Sequence, residues 1–108
     1  MANGIGLKNI IEESGSDSTA YGSIEWKRLN NFVCVTIRPS SIAKGEWRVM
    51  GNLPSDIRPS DYLYNMPWVD IEHNNYTAVL IRAKTDTTAG DVTVNGNIAT
   101  ATTITFTI

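Results

Sequence analysis

Apolar and polar residues alternate with a period of two along most of the chain after residue 21. Ile24 and Trp26 are separated by a charged residue, and Ile104 and Phe106 are separated by a threonine. A period of two places alternate side chains on opposite faces of a strand, with the apolar face turned to a core. The pattern therefore predicts an all-β domain over residues 21–108.

Turn signals divide this region into seven or eight short strands. Paired asparagines occupy residues 30–31 and 74–75, and the prolines at 54 and 59 interrupt the middle of the chain. Pro67 predicts a break or bulge within residues 62–72. Asn95–Gly96 is typical of a two-residue hairpin turn. Short strands at regular spacing predict an antiparallel β-sandwich or a jelly-roll-like barrel.

The most apolar segment, Phe32 to Ile37, predicts a strand that is covered on both faces. Cys34 lies inside it and is expected to be a buried, unreactive thiol. It is the only cysteine, so an internal disulfide is excluded and folding in a reducing cytoplasm is expected. Trp26 and Trp47, which have apolar neighbours two residues away, are expected in the core.

Residues 1–20 have a different pattern. A few aliphatic side chains, among them Ile5 and Leu7, precede the polar and glycine-containing segment at residues 12–19. This pattern predicts an N-terminal anchor or linker, either a short helix or the end of a stalk, ahead of the β-domain.

The charge pattern argues against two classes of partner. The chain has nine Lys and Arg residues against eleven Asp and Glu, for a net charge of −2, and no run of basic residues. Nucleic-acid binding is therefore not expected. No apolar run is long enough to suggest membrane insertion, and the first residues lack the pattern of a signal peptide.

Catalysis is not expected either. His73 is the only histidine, and strand alternation would place Asp70 and Glu72 on the face opposite to it. We therefore interpret His73 as a surface residue before a turn. No catalytic residue, metal site or cofactor is predicted, and the chain is not expected to be an enzyme.

The best binding candidates are aromatic residues near polar groups. Trp68 is predicted to share a strand face with Asp70, and a ring in such a setting can stack on a sugar whose hydroxyls bond to polar neighbours. His73, Tyr76 and Arg82 complete the candidate ligand-binding set. An equally good interpretation places Trp68 at a subunit interface, where aromatic residues are also enriched.

Four segments resemble the head domains at the tips of phage tails. Residues 27–35 are similar to a K-x-G-N-x-V-x-V strand in which Asn30 replaces the glycine, and residues 51–59 are similar to a G-x-L-P-x-x-x-R-P loop. Residues 91–98 and 105–108 resemble the hairpin and the closing strand of the same domains.

This resemblance implies a receptor-binding head of a tail fibre or baseplate protein. Such a head forms a homotrimer, lies at the tail tip of the virion after synthesis in the host cytoplasm, and contacts other tail or baseplate proteins. Its ligand would be a host cell-wall polysaccharide or other surface saccharide. Two alternatives remain: a trimeric cap or spacer that binds no glycan, and a stand-alone carbohydrate-binding module.

Overall fold

The computed structural model describes residues 10–108, and the predicted all-β class is confirmed. A 3₁₀ turn at Ser55–Ile57 is the one short helical element in this part of the chain. The eight strands are β1 (Glu12–Thr19), β2 (Gly22–Leu29), β3 (Phe32–Pro39), β4 (Arg48–Asn52), β5 (Leu63–Asp70), β6 (Asn75–Ile81), β7 (Asp91–Gly96) and β8 (Thr102–Thr107).

The strands form two four-stranded antiparallel sheets. The first sheet has the order β1-β2-β3-β8, and the second has the order β4-β7-β6-β5. Each sheet is built around a three-stranded meander, and one strand from elsewhere in the chain completes it. The predicted sandwich architecture is thus confirmed, with the core enclosed between the two sheets.

Alternation along the strands accounts for the core. The inward side chains of β3, β6 and β7 are mostly buried aliphatic residues, and β2 contributes Ile24 to the same core. Thr77 is also completely buried, and its hydroxyl donates to the carbonyl of Ile98 at 2.6 Å. The buried set comprises Ile24, Val33, Val35, Ile37, Met50, Leu53, Ile57, Val79, Ile81, Val92, Val94, Ile104 and Phe106.

The polar segment at residues 12–19 is a strand and not a linker. β1 pairs with β2 along its full length, from Glu12 opposite Leu29 to Thr19 opposite Gly22. Backbone hydrogen bonds stabilise such an edge strand, and they do not require apolar side chains. The aliphatic residues of the predicted anchor, Ile5 and Leu7, lie outside the described residues.

Side chains of β1 also join the two sheets. The backbone N–H of Asn52 donates to Asp17 Oδ2 at 2.8 Å, and the hydroxyl of Thr19 donates to the carbonyl of Val49. These bonds link β1 to β4, so this side of the sandwich is closed by side-chain-to-backbone contacts. On the opposite side, β5 and β8 are not hydrogen-bonded to each other.

The predicted hairpin turn at Asn95–Gly96 is wrong. Both residues continue β7, where Asn95 pairs with Ala78 and Gly96 pairs with Thr77. Asn95 is buried, and its side-chain oxygen accepts hydrogen bonds from Gly45 and Tyr76, while Gly96 adopts a φ of 139° next to the carbonyl of Tyr76. The following residues cross to the first sheet, where β8 pairs with β3.

Two burial predictions are also wrong. β3 is covered on one face only: Val33, Val35 and Ile37 are buried, whereas Cys34 lies half-buried on the outer face. Trp47 is 40% exposed on the outer face of the second sheet, because it precedes β4 on the side turned away from the core. The prediction for Trp26 is closer, since its ring packs partly buried against the core.

Within residues 10–108 no helix is long and apolar enough to cross a membrane.

Candidate functional site

The five residues predicted to bind ligand do not form one cluster. Directly opposite residues of an antiparallel pair share a face, and the register places Trp68 opposite Thr77 and Val69 opposite Tyr76. Trp68 therefore lies on the inner face of the second sheet with the buried Thr77, whereas Tyr76 lies on the outer face. A single ligand in contact with both rings would have to pass around the edge of β5.

Arg82 is also separate from the rest of the predicted set. It follows the last residue of β6, six residues beyond Tyr76, which corresponds to roughly 20 Å along an extended strand. Its backbone N–H donates to the carbonyl of Asp91 at 2.9 Å. The guanidinium therefore belongs to the end of the sheet where β7 begins, and not to the surroundings of Trp68.

Asp70 and His73 are in contact, contrary to the face assignment made from strand alternation. Asp70 ends β5, the next four residues form a turn, and the His73 ring Nδ1 lies 2.7 Å from Asp70 Oδ2. The His73 backbone N–H also approaches Asp70 Oδ1 at 3.4 Å. The turn reverses the chain and removes the alternation on which the prediction depended.

Glu72 completes a group of three possible metal ligands at this turn. One donor atom from each of Asp70, Glu72 and His73 lies within 4.8 Å of the others. The imidazole is 65% exposed, and exposed acidic groups on hairpin turns are common without an ion. We assign no metal to this group, since nothing further in the surroundings points to one.

An aromatic surface missed by the sequence analysis covers the outer face of the second sheet. A row of opposed residues crosses this face from Val49 through Thr93 and Leu80 to Tyr64. Trp47 and Tyr64 come from opposite edges of the sheet, and their rings meet edge to face at 6.1 Å and 68°.

The side chains of Trp47 and Tyr64 therefore lean toward each other over β7 and β6. Such an arrangement explains why Ala78 and Thr93, which point to the outer side, are only 1% and 6% exposed. Trp47 and Tyr64 themselves remain 40% and 55% exposed. We call the outer aromatic surface formed by Trp47, Tyr64 and Tyr76 the platform.

The loop before β4 holds the platform in place. The backbone N–H of Gly45 donates to Asn95 Oδ1 at 2.9 Å, and the hydroxyl of Tyr76 donates to the same oxygen at 3.3 Å. Lys44 Nζ donates to the carbonyl of Asn74 at 2.8 Å and lies 6.0 Å from the centre of the Tyr76 ring. The loop thus brings the cation of Lys44 to the edge of an apolar surface, beside the ring of Tyr76.

Two open depressions lie on the first sheet. One, of about 640 Å³, follows β1 and β2 and is lined by serine hydroxyls together with Asp17, Glu25 and Trp26. The other, of about 500 Å³, lies beside Leu29, Phe32 and Cys34. The first is polar with one partly covered ring, and the second is a shallow corner on the exposed face of the sheet.

The sequence contained only an ambiguous signal for the platform. Trp47 alternates with Val49, which indicates that both share a face but does not identify that face as the inner or the outer one. The burial of the neighbouring Met50 resolves the ambiguity in the structure, because alternation places Met50 on the face opposite to that of Trp47 and Val49.

Comparison with known proteins gives no family for this chain. No protein-family model, curated protein or solved structure matches it at a significant level.

Proposed function

We propose that this chain is a non-catalytic, saccharide-binding head domain of a phage tail fibre or baseplate protein. The observation that carries the proposal is the platform: three aromatic side chains on an exposed sheet face, with Lys44 at their edge. The apolar face of a pyranose stacks on such rings, and nearby polar groups bond to its hydroxyls.

The shape of the platform suits a polysaccharide chain better than a small enclosed ligand. It lies on a sheet face, and the Trp47 and Tyr64 rings are inclined at 68° to each other. One sugar ring can therefore stack on one of these two rings while the other ring contacts its edge. The resemblance to tail-tip heads supplies the biological setting: a homotrimer at the tail tip of the virion that recognises a host cell-wall polysaccharide.

A matched pair of tryptophan variants tests the proposal. Trp47 and Trp68 are exposed to the same extent, 40% and 38%, but lie on opposite faces of the second sheet. Binding would first be screened on an array of bacterial surface saccharides. The affinity of Trp47→Ala and Trp68→Ala for a soluble oligosaccharide from the strongest hit would then be measured by calorimetry, because a monovalent probe is insensitive to avidity.

The proposal expects Trp47→Ala to weaken binding at least about tenfold and Trp68→Ala to change it less than about threefold. Circular dichroism checks that both variants keep the fold. If wild type binds no saccharide on the array, the receptor-binding function is wrong. If Trp68→Ala abolishes binding and Trp47→Ala does not, the site lies at the inner edge near Trp68.

A structural role as a trimeric cap or spacer is the second candidate. The exposed apolar side chains of β5 favour it because they suit contact with protein. A stand-alone carbohydrate-binding module would use the same platform, and a monomeric solution mass together with saccharide binding would identify it.

A further inference from the structure

β5 is an edge strand of the second sheet, and the segment around it carries an unusual concentration of exposed apolar side chains. Among residues 10–108, six of the eleven exposed large hydrophobic residues lie within the ten residues from 62 to 71. We call this set the β5 strip, and it consists of Tyr62, Tyr64, Met66, Trp68, Val69 and Ile71, which are between 38% and 87% exposed.

The strip lies on a strand that the rest of the domain leaves uncovered. Within the described part of the chain β6 is the one strand with extensive contacts to β5, and Leu63, at the start of β5, packs partly buried against the core. All residues from Tyr64 to Val69 are exposed, including those of the inner face. A gap of about 80 Å³, lined by Trp68, Thr77 and residues 100–102, lies between β5 and the segment that leads into β8.

The chemistry of the strip indicates contact with protein. Residues 62–69 contain no charged side chain, so a partner recognised through charge, such as a nucleic acid, is not indicated. The exposed surface of the six side chains amounts to roughly 600 Å². A stable interface buries about 800 Å² on each partner, and roughly 600 Å² is at the upper limit of the largest apolar patch on a typical monomer, where such patches are often functional.

The backbone of β5 indicates contact through side chains and not through strand addition. Pro67 has no N–H, and the register shifts between Asn65 and Trp68. Both features interrupt the row of donors and acceptors that an added strand would need. A partner would therefore contact β5 through its side chains, on both the inner and the outer face of the strand.

From these observations we infer that the β5 strip is the contact surface between copies of this chain. A second copy supplies the same uncharged side chains, and the area is close to what a stable homomeric contact needs. The inference rests on the oligomeric part of the proposed function, to which it adds a surface. Tyr64 belongs to both surfaces, whereas Val69 and Ile71 belong to the strip alone, so substitutions at these two residues test the interface separately from saccharide binding.

The inference is tested by measuring the solution mass of three proteins by light scattering over a range of concentrations. Wild type is compared with the double variant Val69→Lys/Ile71→Lys and with the control Leu29→Lys. Leu29 and Val69 are each 52% exposed, but Leu29 lies on the other sheet. We expect an oligomeric wild type, a monomeric double variant with unchanged circular dichroism, and an oligomeric control.

Radical footprinting of wild type provides a second readout that requires no substitution. We expect oxidation of Met66 and Trp68 to fall at concentrations at which the mass increases, while oxidation of Phe32 stays constant. A wild type that remains monomeric throughout overturns the inference. So does an oligomer that Leu29→Lys dissociates, or one in which Met66 and Trp68 gain no protection.

The outcomes separate the two proposals. An oligomer assembled through β5 that binds no saccharide would support the interface and reject the receptor-binding function. A monomer that binds saccharide through Trp47 would reject the interface and keep the platform.

Discussion

The indole of Trp26 lies directly over Gly15 on the neighbouring strand. The two residues are register partners in the β1–β2 ladder, and a Cβ added at Gly15 would come within 2.6 to 2.9 Å of three atoms of the ring. The absence of a side chain at Gly15 thus provides the space in which Trp26 packs against the core.

We expect Gly15→Ala to lower the free energy of unfolding by about 1 to 3 kcal/mol, because the added methyl group displaces a packed indole. Urea denaturation followed by tryptophan fluorescence measures the change. Ser16→Ala is the control, since Ser16 points to the opposite face, and its effect should stay within about 0.5 kcal/mol. Equal stability of the two variants would show that Trp26 does not need the space above Gly15.

Asp17 is expected to contribute to the closure between β1 and β4. Asp17→Ala removes the acceptor for the backbone N–H of Asn52 and should cost about 1 kcal/mol. Asp17→Asn retains an acceptor oxygen and should lose less than half of that amount. Hydrogen exchange at the Asn52 amide is the local readout. Exchange that is equally slow in Asp17→Ala would mean that the strands are held together by other contacts.

Asn95 is expected to hold the loop that carries Trp47. Asn95→Ala leaves the Gly45 N–H and the Tyr76 hydroxyl without their acceptor, so we expect a loss of about 1 to 3 kcal/mol and faster exchange at the Gly45 amide.

Asn97→Ala is the matched control for this loop. Asn97 is exposed and accepts a hydrogen bond from the Tyr76 backbone N–H. Asn97→Ala should lower the free energy of unfolding by less than Asn95→Ala does, and it should leave hydrogen exchange at the Gly45 amide unchanged. If Asn97→Ala destabilised the protein more and accelerated exchange at Gly45 more than Asn95→Ala, the loop before β4 would be held at Asn97 and not at Asn95.

Cys34 is expected to react with a thiol reagent in the folded protein. Its half-buried position beside Leu29 and Phe32 allows access without unfolding, which contrasts with the inert thiol predicted from the sequence. The rate of reaction with dithionitrobenzoate should be independent of low concentrations of urea, and Phe32→Ala should increase it. A rate that follows global unfolding would contradict the prediction, because it would show that the thiol is inaccessible in the folded protein.

The sequence predicted the fold class because the period of two is a local property. The strands around Ile24, Val79 and Ile104 could be located from their own residues, as could the turns at residues 30–31 and 74–75, where Asn30 and Asn74 adopt positive φ. β1 could not be located in this way, since its partners are the backbone of β2 and the edge of β4.

The candidate site was harder to predict than the fold. Alternation correctly indicated that Trp47 and Val49 share a face, but which face meets the core depends on the other sheet. The separation of Trp68 from Tyr76 depends on the register of β5 against β6, which shifts at a bulge that the sequence located only as an interruption at Pro67. Aromatic residues could therefore be nominated as a class, while the surface that they form required the paired strands.

The pairing of β3 with β8 has a consequence for synthesis of the chain. The first three strands form a local meander that can assemble as soon as it leaves the ribosome, but the second edge of β3 has no partner until everything from Ser40 to Ala101 has been translated. During that interval the inner face of this meander, with Val33, Val35 and Ile37, also awaits the second sheet. A nascent chain of this kind exposes an open strand edge and a β-branched apolar face together, which is the combination that promotes aggregation. Slow translation across the middle of the chain should therefore lower the yield of soluble protein.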